Sequence, residues 1–467
     1  MAAVDLGATS GRVVVGRVGP GVLAVEAVHR FPNEPVRTPD GLHWNILELY
    51  RQVLVGLRRA LEAHPDLLSI GIDSWGVDYG LVRGDRLTQI PFHYRDERTA
   101  RGFELVHRTV SRESLYAGSG VQLLRINTVY QLAVDRADGF LDGTTALLTP
   151  DLFGWWLTGE RVAEQTIAST TGLLDRSGDA WDTALVDALG YPRTLFPRLV
   201  QPGTVVGRLL PDVAAEVGAQ HAVPVVAVGS HDTASAVVAV PLTGRNAAYI
   251  SSGTWSLVGV ELDEPVLTAA SRQADFTNER GVDGRVRYHR NVMGLWLLNE
   301  SIRAWERQGL VVDLDDLLRR AAAVRGAPVF ETDHPSLLAA GDLPVRIAAL
   351  CPDRTGCPPL SPAEVTRSIL ESLAARYAST LDDAERLGGV AIDTVHIVGG
   401  GSQNALLCQL TADRTGRRVL AGPVEATAIG NVLVQARAAG VVSGSLEELR
   451  DLVRRTHPPT EYRPAHD

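Results

Sequence analysis

The chain has 467 residues, a formal net charge of -10, 45% hydrophobic and 21% charged residues. That length exceeds what one hydrophobic core serves and predicts two domains, while an acidic balance with no basic run longer than a pair such as Arg417-Arg418 excludes the electrostatic footprint of a nucleic-acid binder. All 45 of the Lys+Arg residues are arginine, which excludes a P-loop lysine, a kinase strand lysine and a Schiff-base lysine.

Residues 2–6 and 12–18 are apolar runs with β character, joined by Gly7-Ala8-Thr9-Ser10-Gly11. A strand this close to the first residue leaves no room for a signal peptide, and no apolar stretch is long enough to span a bilayer, so cytoplasmic residence is expected. A helix is predicted over 46–63 with Asn45 as N-cap. Residues 68–72 form a strand that ends at Asp73-Ser74-Trp75-Gly76-Val77-Asp78, ahead of another strand over 79–82. An indole among carboxylates at a strand end is either one wall of a sugar pocket or a turn with a core tryptophan. Tyr94-Arg95-Asp96-Glu97-Arg98 reads as a solvated charge cluster. Residues 151–157 form a short helix closed by Gly159, with both its tryptophans in the core, and 166–171 are a turn or a hydroxyl-lined wall.

The stretch 225–256 concentrates the features phosphate chemistry needs. Residues 225–228 read as a buried strand, and Ser230-His231-Asp232-Thr233 puts a carboxylate at its exit, where open α/β sheets place ligands. An apolar segment over 234–240 then begins a helix, with Asp232 either a reactive carboxylate or merely its N-cap. Residues 247–251 and 255–260 are paired strands joined by Ser252-Gly253-Thr254, small residues that let backbone N–H groups approach an anion. This repeats the design of the first hairpin and suggests a duplicated architecture, with contiguous domains 1–240 and 241–467.

In the second half, Leu295, Leu298, Ile302 and Trp305 recur at helical spacing behind Asn291 and Gly294. Residues 326–360 are rich in Pro and Gly and read as an irregular insertion. Ser361-Pro362-Ala363-Glu364 is a capping box, and Val365, Ile369, Leu373, Tyr377 and Leu381 mark the buried face of the helix it starts. A strand over 395–398 runs into Gly399-Gly400-Gly401-Ser402-Gln403 and a helix over 404–415, an arrangement suited to anions and nucleotides. It lacks the GxGxxG pattern, which disfavours a dinucleotide site. Ala426, Ala428 and Gly430 give the following helix a thin face for close packing. Cys351, Cys357 and Cys408 are too few for a disulfide framework and lack zinc spacing.

The order of these motifs resembles the FGGY carbohydrate kinases: Asp-Leu-Gly-Ala-Thr-Ser-Gly-Arg at 5–12, Gly-Ile-Asp-Ser-Trp-Gly-Val-Asp at 71–78, Ser-His-Asp-Thr at 230–233, Ser-Ser-Gly-Thr-Trp-Ser at 251–256 and Val-Gly-Gly-Gly-Ser-Gln-Asn at 398–404. Tyr94-Arg95-Asp96, Asn127-Thr128-Val129-Tyr130-Gln131 and Ala421-Gly422-Pro423-Val424-Glu425-Ala426 are most similar to its rhamnulokinase branch. The resemblance implies the actin and hexokinase-like fold, a duplicated ribonuclease H-like α/β ATPase architecture with an interdomain ATP cleft. It implies transfer of the γ-phosphoryl group of ATP, with Mg²⁺, to the 1-hydroxyl of L-rhamnulose, and neither a nucleic-acid nor a membrane partner; the alternatives are a kinase for another ketose or polyol such as L-fuculose or D-xylulose, or a non-catalytic actin-like ATPase or sugar sensor. By position, Asp232 matches the catalytic base, and Gly76, His231, Thr233 and Asn291 match sugar-contacting positions. Ala8, Thr9, Ser10, Gly11 and Arg12 fall on the first phosphate hairpin, Thr254 on the second, and Asn299 and Gly400 on nucleotide contacts. Asn299 stands where the branch has Gln. Asp5 is the position expected to hold Mg²⁺ through water, and Arg12 to supply the point charge that lysine supplies in P-loop enzymes.

Overall fold

Apolar β-branched runs and helix-length apolar stripes alternate along the chain, and in the computed structural model, which describes residues 1–339, 341–351 and 360–465, they gather into two units. The units are not two contiguous halves of the chain. The first comprises Met1–Ala239, Glu261–Tyr288 and Glu425–Thr456, and the second Val240–Val260, His289–Val424 and His457–Asp467.

The first unit is built on a six-stranded sheet ordered Val205–Arg208, Pro224–Val226, Ile70–Ser74, Ala2–Leu6, Ser10–Gly19, Val22–Pro32. Ala2–Leu6 lies at its centre, antiparallel to Ser10–Gly19 and parallel to Ile70–Ser74. All five residues of Ala2–Leu6 and all five of Ile70–Ser74 are buried, as expected of strands covered on both faces. One face receives the helix Ile46–Ala63, which buries Leu49, Val53, Leu57 and Leu61 in the same core as Val4 and Ile72. The other receives the helix Ala426–Ala438, whose thin face serves close approach: a Cβ on Gly430 would stand 1.8 Å from the Ser235 carbonyl oxygen, on the helix Asp232–Val238. Asn431 and Gln435 of that helix bond to the sheet and its edge: Asn431 donates to Asp73, and Gln435 donates through Nε2 to the Ala2 carbonyl at 3.0 Å and accepts at Oε1 from Ser69 Oγ at 2.7 Å.

In the second unit Ala247–Ser252 takes the central place, antiparallel to Trp255–Leu262 and parallel to Thr394–Val398, which pairs in parallel with Arg418–Ala421 and then antiparallel with Thr460–Tyr462. The first sheet has the same sequence of pairings around Ala2–Leu6, so the two hairpins occupy equivalent places in a duplicated topology. The Ser361 box closes as expected, with Ser361 and Glu364 capping each other at the start of Pro362–Gly388, and all five residues of the expected stripe are buried.

Three local expectations are corrected. Asn45 stands at the N-cap of Ile46–Ala63 but makes no side-chain cap bond. The insertion at 326–360 holds a helix, Leu343–Leu350, begun by Pro344 near its N-terminus, while residue 340 and residues 352–359, including Cys357, lie outside the described residues. The stripe of Trp296–Arg307 is carried by Leu297, Leu298, Ser301, Ala304 and Trp305, with Leu295 and Ile302 only half-buried. No helix among the described residues is long and apolar enough to cross a membrane.

Candidate active site

Pro224–Val226 leaves the first sheet into residues 227–231, and Ser74 forms a parallel bridge with His231, fixing the exit of that strand against the end of its neighbour. Ser230 N–H donates to Glu164 Oε2 at 3.1 Å and His231 N–H to Thr166 Oγ1 at 3.2 Å. Glu164 is itself buried, accepting from the Thr166 and Ile167 amides and the Thr166 hydroxyl, and burial pushes its carboxyl up to about 7. The hydroxyls of 166–171 are thus spent on structure, in the turns Gln165–Ala168 and Ser169–Thr171.

Asp232 is the first residue of its helix. The N-cap position belongs to His231, so capping does not explain the carboxylate. Its side chain keeps 30% of its surface, Thr233 Oγ1 donates to Oδ1 at 3.0 Å, and His231 Nε2 lies 3.5 Å from the same oxygen. Burial, opposed by His231 and reinforced by the nearby Asp5 charge, raises its carboxyl above the ordinary range. On its other side the His231 ring meets Arg287 and Glu279, both buried.

The first hairpin brings further charge to this end of the sheet. Strand register sets Asp5 opposite Arg12 on one side and Asp73 on the other. Arg12 donates through Nε at 2.7 Å and Nη2 at 2.6 Å to Asp5 Oδ2, and its Nη1 pairs with Glu425. The charge of Arg12 is thus shared with two carboxylates: burial works against the guanidinium, and Asp5 and Glu425 hold it charged. Asp73 is fully buried, with Oδ2 accepting from Asn431 Nδ2 at 2.5 Å and Oδ1 without a hydrogen-bond partner. Burial first, and then Asp5 and Asp232, push its carboxyl well above the usual range. In the turn, Asn33 takes the Gly7 and Thr9 carbonyls, Gly11 packs so tightly on Phe31 that a Cβ would overlap the ring, and Thr9 and Ser10 are exposed.

In the second unit the Gly253-Thr254 turn is gripped by glycines. A Cβ on Gly401 would stand 2.0 Å from Ser252 Oγ, and one on Gly294 2.7 Å from the Gly253 carbonyl oxygen. Leu295 N–H and Trp296 N–H donate to the Gly253 and Thr254 carbonyls at 2.9 and 3.2 Å, which joins the hairpin to the helix Trp296–Arg307. Thr254 is half-buried, Asn299 and Gly400 are exposed, and a Cβ on Gly400 would meet nothing within 4 Å. The helix Ala405–Thr415 is capped by Asn404, whose Oδ1 accepts from Leu407 N–H, so the open groups here belong to the glycine turn rather than to the helix end. Asn291 lies half-buried on the strand Val286–Met293.

Of the two readings of Trp75, the core one holds: its Nε1 donates to Asp78, which is buried under bonds from Trp44, Tyr94 and Gln131. Beside it, Gly76 is half-buried and Val77 takes a left-handed φ of 71°, rare for a β-branched residue, held by Thr170 on its N–H and Thr128 on its carbonyl. The 94–98 cluster is not solvated as expected: Tyr94 and Asp96 are buried, Asp96 accepts from Leu42 N–H, and Arg98 pairs with buried Asp135 at 2.6 Å. Glu164, Glu279 and Arg287 had no sequence signal, whereas Asp73 and Glu425 lie inside motifs already singled out.

Two duplicated α/β units, each with a small-residue hairpin at its central strand, and a recessed carboxylate at a strand exit define a phosphotransferase of the two-domain α/β class. Residues 1–239 and 248–439 match the N- and C-terminal domains of the FGGY family of carbohydrate kinases. The chain is 39% identical over 99% of its length to a rhamnulokinase of Bacteroides thetaiotaomicron, 95% of which is covered, and 41% identical over 99% to one of Pectobacterium carotovorum, covered to 92%. Its fold is that of a ligand-bound xylulose kinase from Lactobacillus acidophilus (TM-score 0.81, 16% identity, 99% of this chain and 94% of that one). It is likewise that of Plasmodium falciparum glycerol kinase with ADP (TM-score 0.79, 13% identity, 100% and 94%). The protein belongs to the FGGY family of carbohydrate kinases.

Proposed function

We propose that the protein transfers the γ-phosphoryl group of ATP to the 1-hydroxyl of L-rhamnulose, giving L-rhamnulose 1-phosphate and ADP. The observation that carries the reading is Asp232: part-exposed, at a strand exit, facing His231, in a chain alike over its whole length to relatives named rhamnulokinase. A sugar hydroxyl is a weak nucleophile, and a positioned base contributes roughly 10²–10⁴-fold. Asp232 accepts the hydroxyl proton, and His231, Thr233, Gly76 and Asn291 hold the sugar. Phosphoryl transfer otherwise depends on placement and charge stabilisation, here by the amides of residues 8–11 and Thr254, with Asn299 and Gly400 at the nucleotide. Arg12 acts by holding Asp5 rather than by reaching out alone.

Among the described residues no three His, Cys, Asp or Glu side chains converge as a metal cage. The partnerless Oδ1 of Asp73 beside Asp5 nevertheless fits a cation held at one remove, through water. Mg²⁺ bound there would offset charge on the β- and γ-phosphates. The test is ADP release with MgATP against L-rhamnulose, L-fuculose, D-xylulose and glycerol in parallel. L-Rhamnulose is expected to give the highest kcat/KM. Preference for another sugar overturns the acceptor assignment, and sugar-independent hydrolysis overturns the kinase reading.

A further inference from the structure

Gly76-Val77-Asp78 closes a three-residue turn, in which the Asp78 N–H donates to the Gly76 carbonyl at 3.0 Å across Val77 at a φ of 71°. A turn of this hand is strained, and glycine is the residue that adopts a positive φ freely. A β-branched side chain crowds the backbone there, so the conformation persists only where its surroundings over-determine it. Here they do. Thr170 Oγ1 accepts from the Val77 N–H at 3.1 Å, Thr128 Oγ1 donates to the Val77 carbonyl at 2.6 Å, and the Asp78 carboxylate that follows is buried under bonds from Trp44, Trp75 and Gln131. Packing does not explain the valine. Val77 is half-buried, with part of its surface against the core that holds Trp75 and part open. A half-buried valine gains about half of what full burial gives, which does no more than match the strain of the position. The frame that holds it also holds the acceptor site: the turns Gln165–Ala168 and Ser169–Thr171 fix the His231 N–H through Thr166 and the Val77 N–H through Thr170. An isopropyl group is thereby fixed next to Gly76, in a site whose other side chains suit hydroxyls.

We infer that Val77 is a specificity-determining residue of the acceptor site, its isopropyl group taking the C6 methyl of a 6-deoxy ketose. The inference rests on the sugar-kinase reading and adds to it a source of selectivity. L-Rhamnulose is 6-deoxy-L-fructose, and every other carbon of it bears oxygen, so the methyl is the one part that an apolar wall recognises. L-Fructose differs by a single hydroxyl on that carbon. Set against Val77, that hydroxyl leaves water without gaining a partner, whereas the methyl buries apolar surface. The strain at Val77 is then the cost of keeping an apolar side chain where glycine would fit the backbone better.

The test is the ratio of kcat/KM for L-rhamnulose to that for L-fructose, measured by ADP release on one preparation, because the folded fraction cancels from it. An apolar pocket separates two such substrates by about 10- to 100-fold, which is the ratio expected of the parent. V77T keeps the shape and the β-branch, and so the strain, while exchanging a methyl for a hydroxyl. It should lower the ratio at least about fivefold, with the KM for ATP unchanged within about twofold. V77G suits the backbone of the turn and removes the wall, so it should lower the ratio as well, and it serves if V77T does not fold. A valine with a merely structural role would lower both rates together and leave the ratio where it was. A parent that does not prefer L-rhamnulose to L-fructose, or variants that turn over both sugars at the parent's ratio, overturn the inference while leaving a sugar kinase. A parent that releases no ADP with any sugar overturns the kinase reading itself, and the inference with it.

Discussion

Replacing Asp232 by Asn separates chemistry from architecture because an asparagine oxygen still accepts a hydrogen bond while the amide cannot take up a proton. The cap of its helix is His231, and an asparagine oxygen still accepts the Thr233 hydroxyl now bonded at 3.0 Å, so global stability should stay within about 0.5 kcal/mol. The lost proton acceptor should lower turnover about 10²–10⁴-fold, equivalent to roughly 3–5 kcal/mol of barrier. ATP affinity should be unchanged. The pH profile gives a second reading of the same group. A base works unprotonated, so sugar kcat/KM is present above its folded pKa and lost as pH falls through it. Because burial raises that pKa, the acid limb should lie above the ordinary aspartate range and vanish in D232N. Coupled ADP release across pH 4–9, thermal unfolding and a nucleotide titration decide the matter. A D232N enzyme within tenfold of the parent, or one that has lost its fold or its ATP, refutes the assignment.

The glycine turn permits a paired test: Gly401→Ala drives a methyl to 2.0 Å from Ser252 Oγ and should cost about 1–3 kcal/mol of stability with weaker ATP binding, whereas Gly400→Ala meets nothing and should leave stability unchanged, as thermal melts and nucleotide titrations would show. Gly430→Ala should separate the helices Asp232–Val238 and Ala426–Ala438 at a similar cost and reduce kcat as well, because the first of them begins at the proposed base; an unchanged melting temperature would contradict the packing. Glu164 is a carboxyl raised to about 7, so the folded state holds its proton more tightly than the unfolded chain does. Its contribution therefore favours the fold below the ordinary glutamate pKa and is lost as pH rises to about 7, by roughly 3 kcal/mol. Asp151 and Asp73, also raised by burial, act in the same direction, so urea unfolding should find the protein more stable at pH 5 than at pH 8.

Local periodicity and turn chemistry made most of the scaffold readable. The capping box at Ser361, the buried stripe behind it, both hairpins and the duplicated pattern follow from residues close in sequence, and so did the placing of Asp232 at a strand exit. What stayed hidden is what distance in sequence hides. The pairing of Arg12 with Glu425 is invisible across 413 positions, and Tyr94–Arg98 looked solvated because Asp135 and the Leu42 amide that bury it lie on other elements. Glu279 and Arg287 gave no signal, since two charges eight positions apart on neighbouring strands read as surface. Asn45 failed as a cap through its backbone angles, which its side-chain chemistry does not determine.

The contact between Asn431 and Asp73 spans 358 positions, and it bears on how the protein is made. A ribosome adding about 5–20 residues per second delivers Asn431 roughly 20–70 s after Asp73. Through that interval the two central strands of the first sheet exist without the helix that covers them, and a buried carboxylate waits without its donor. The first unit thus cannot mature vectorially, ahead of the second, as independent domains do. A chain released at residue 240 would hold all six strands of the first sheet yet lack the helix that covers one face, and chaperone demand should fall late in synthesis, when Ala426–Ala438 emerges.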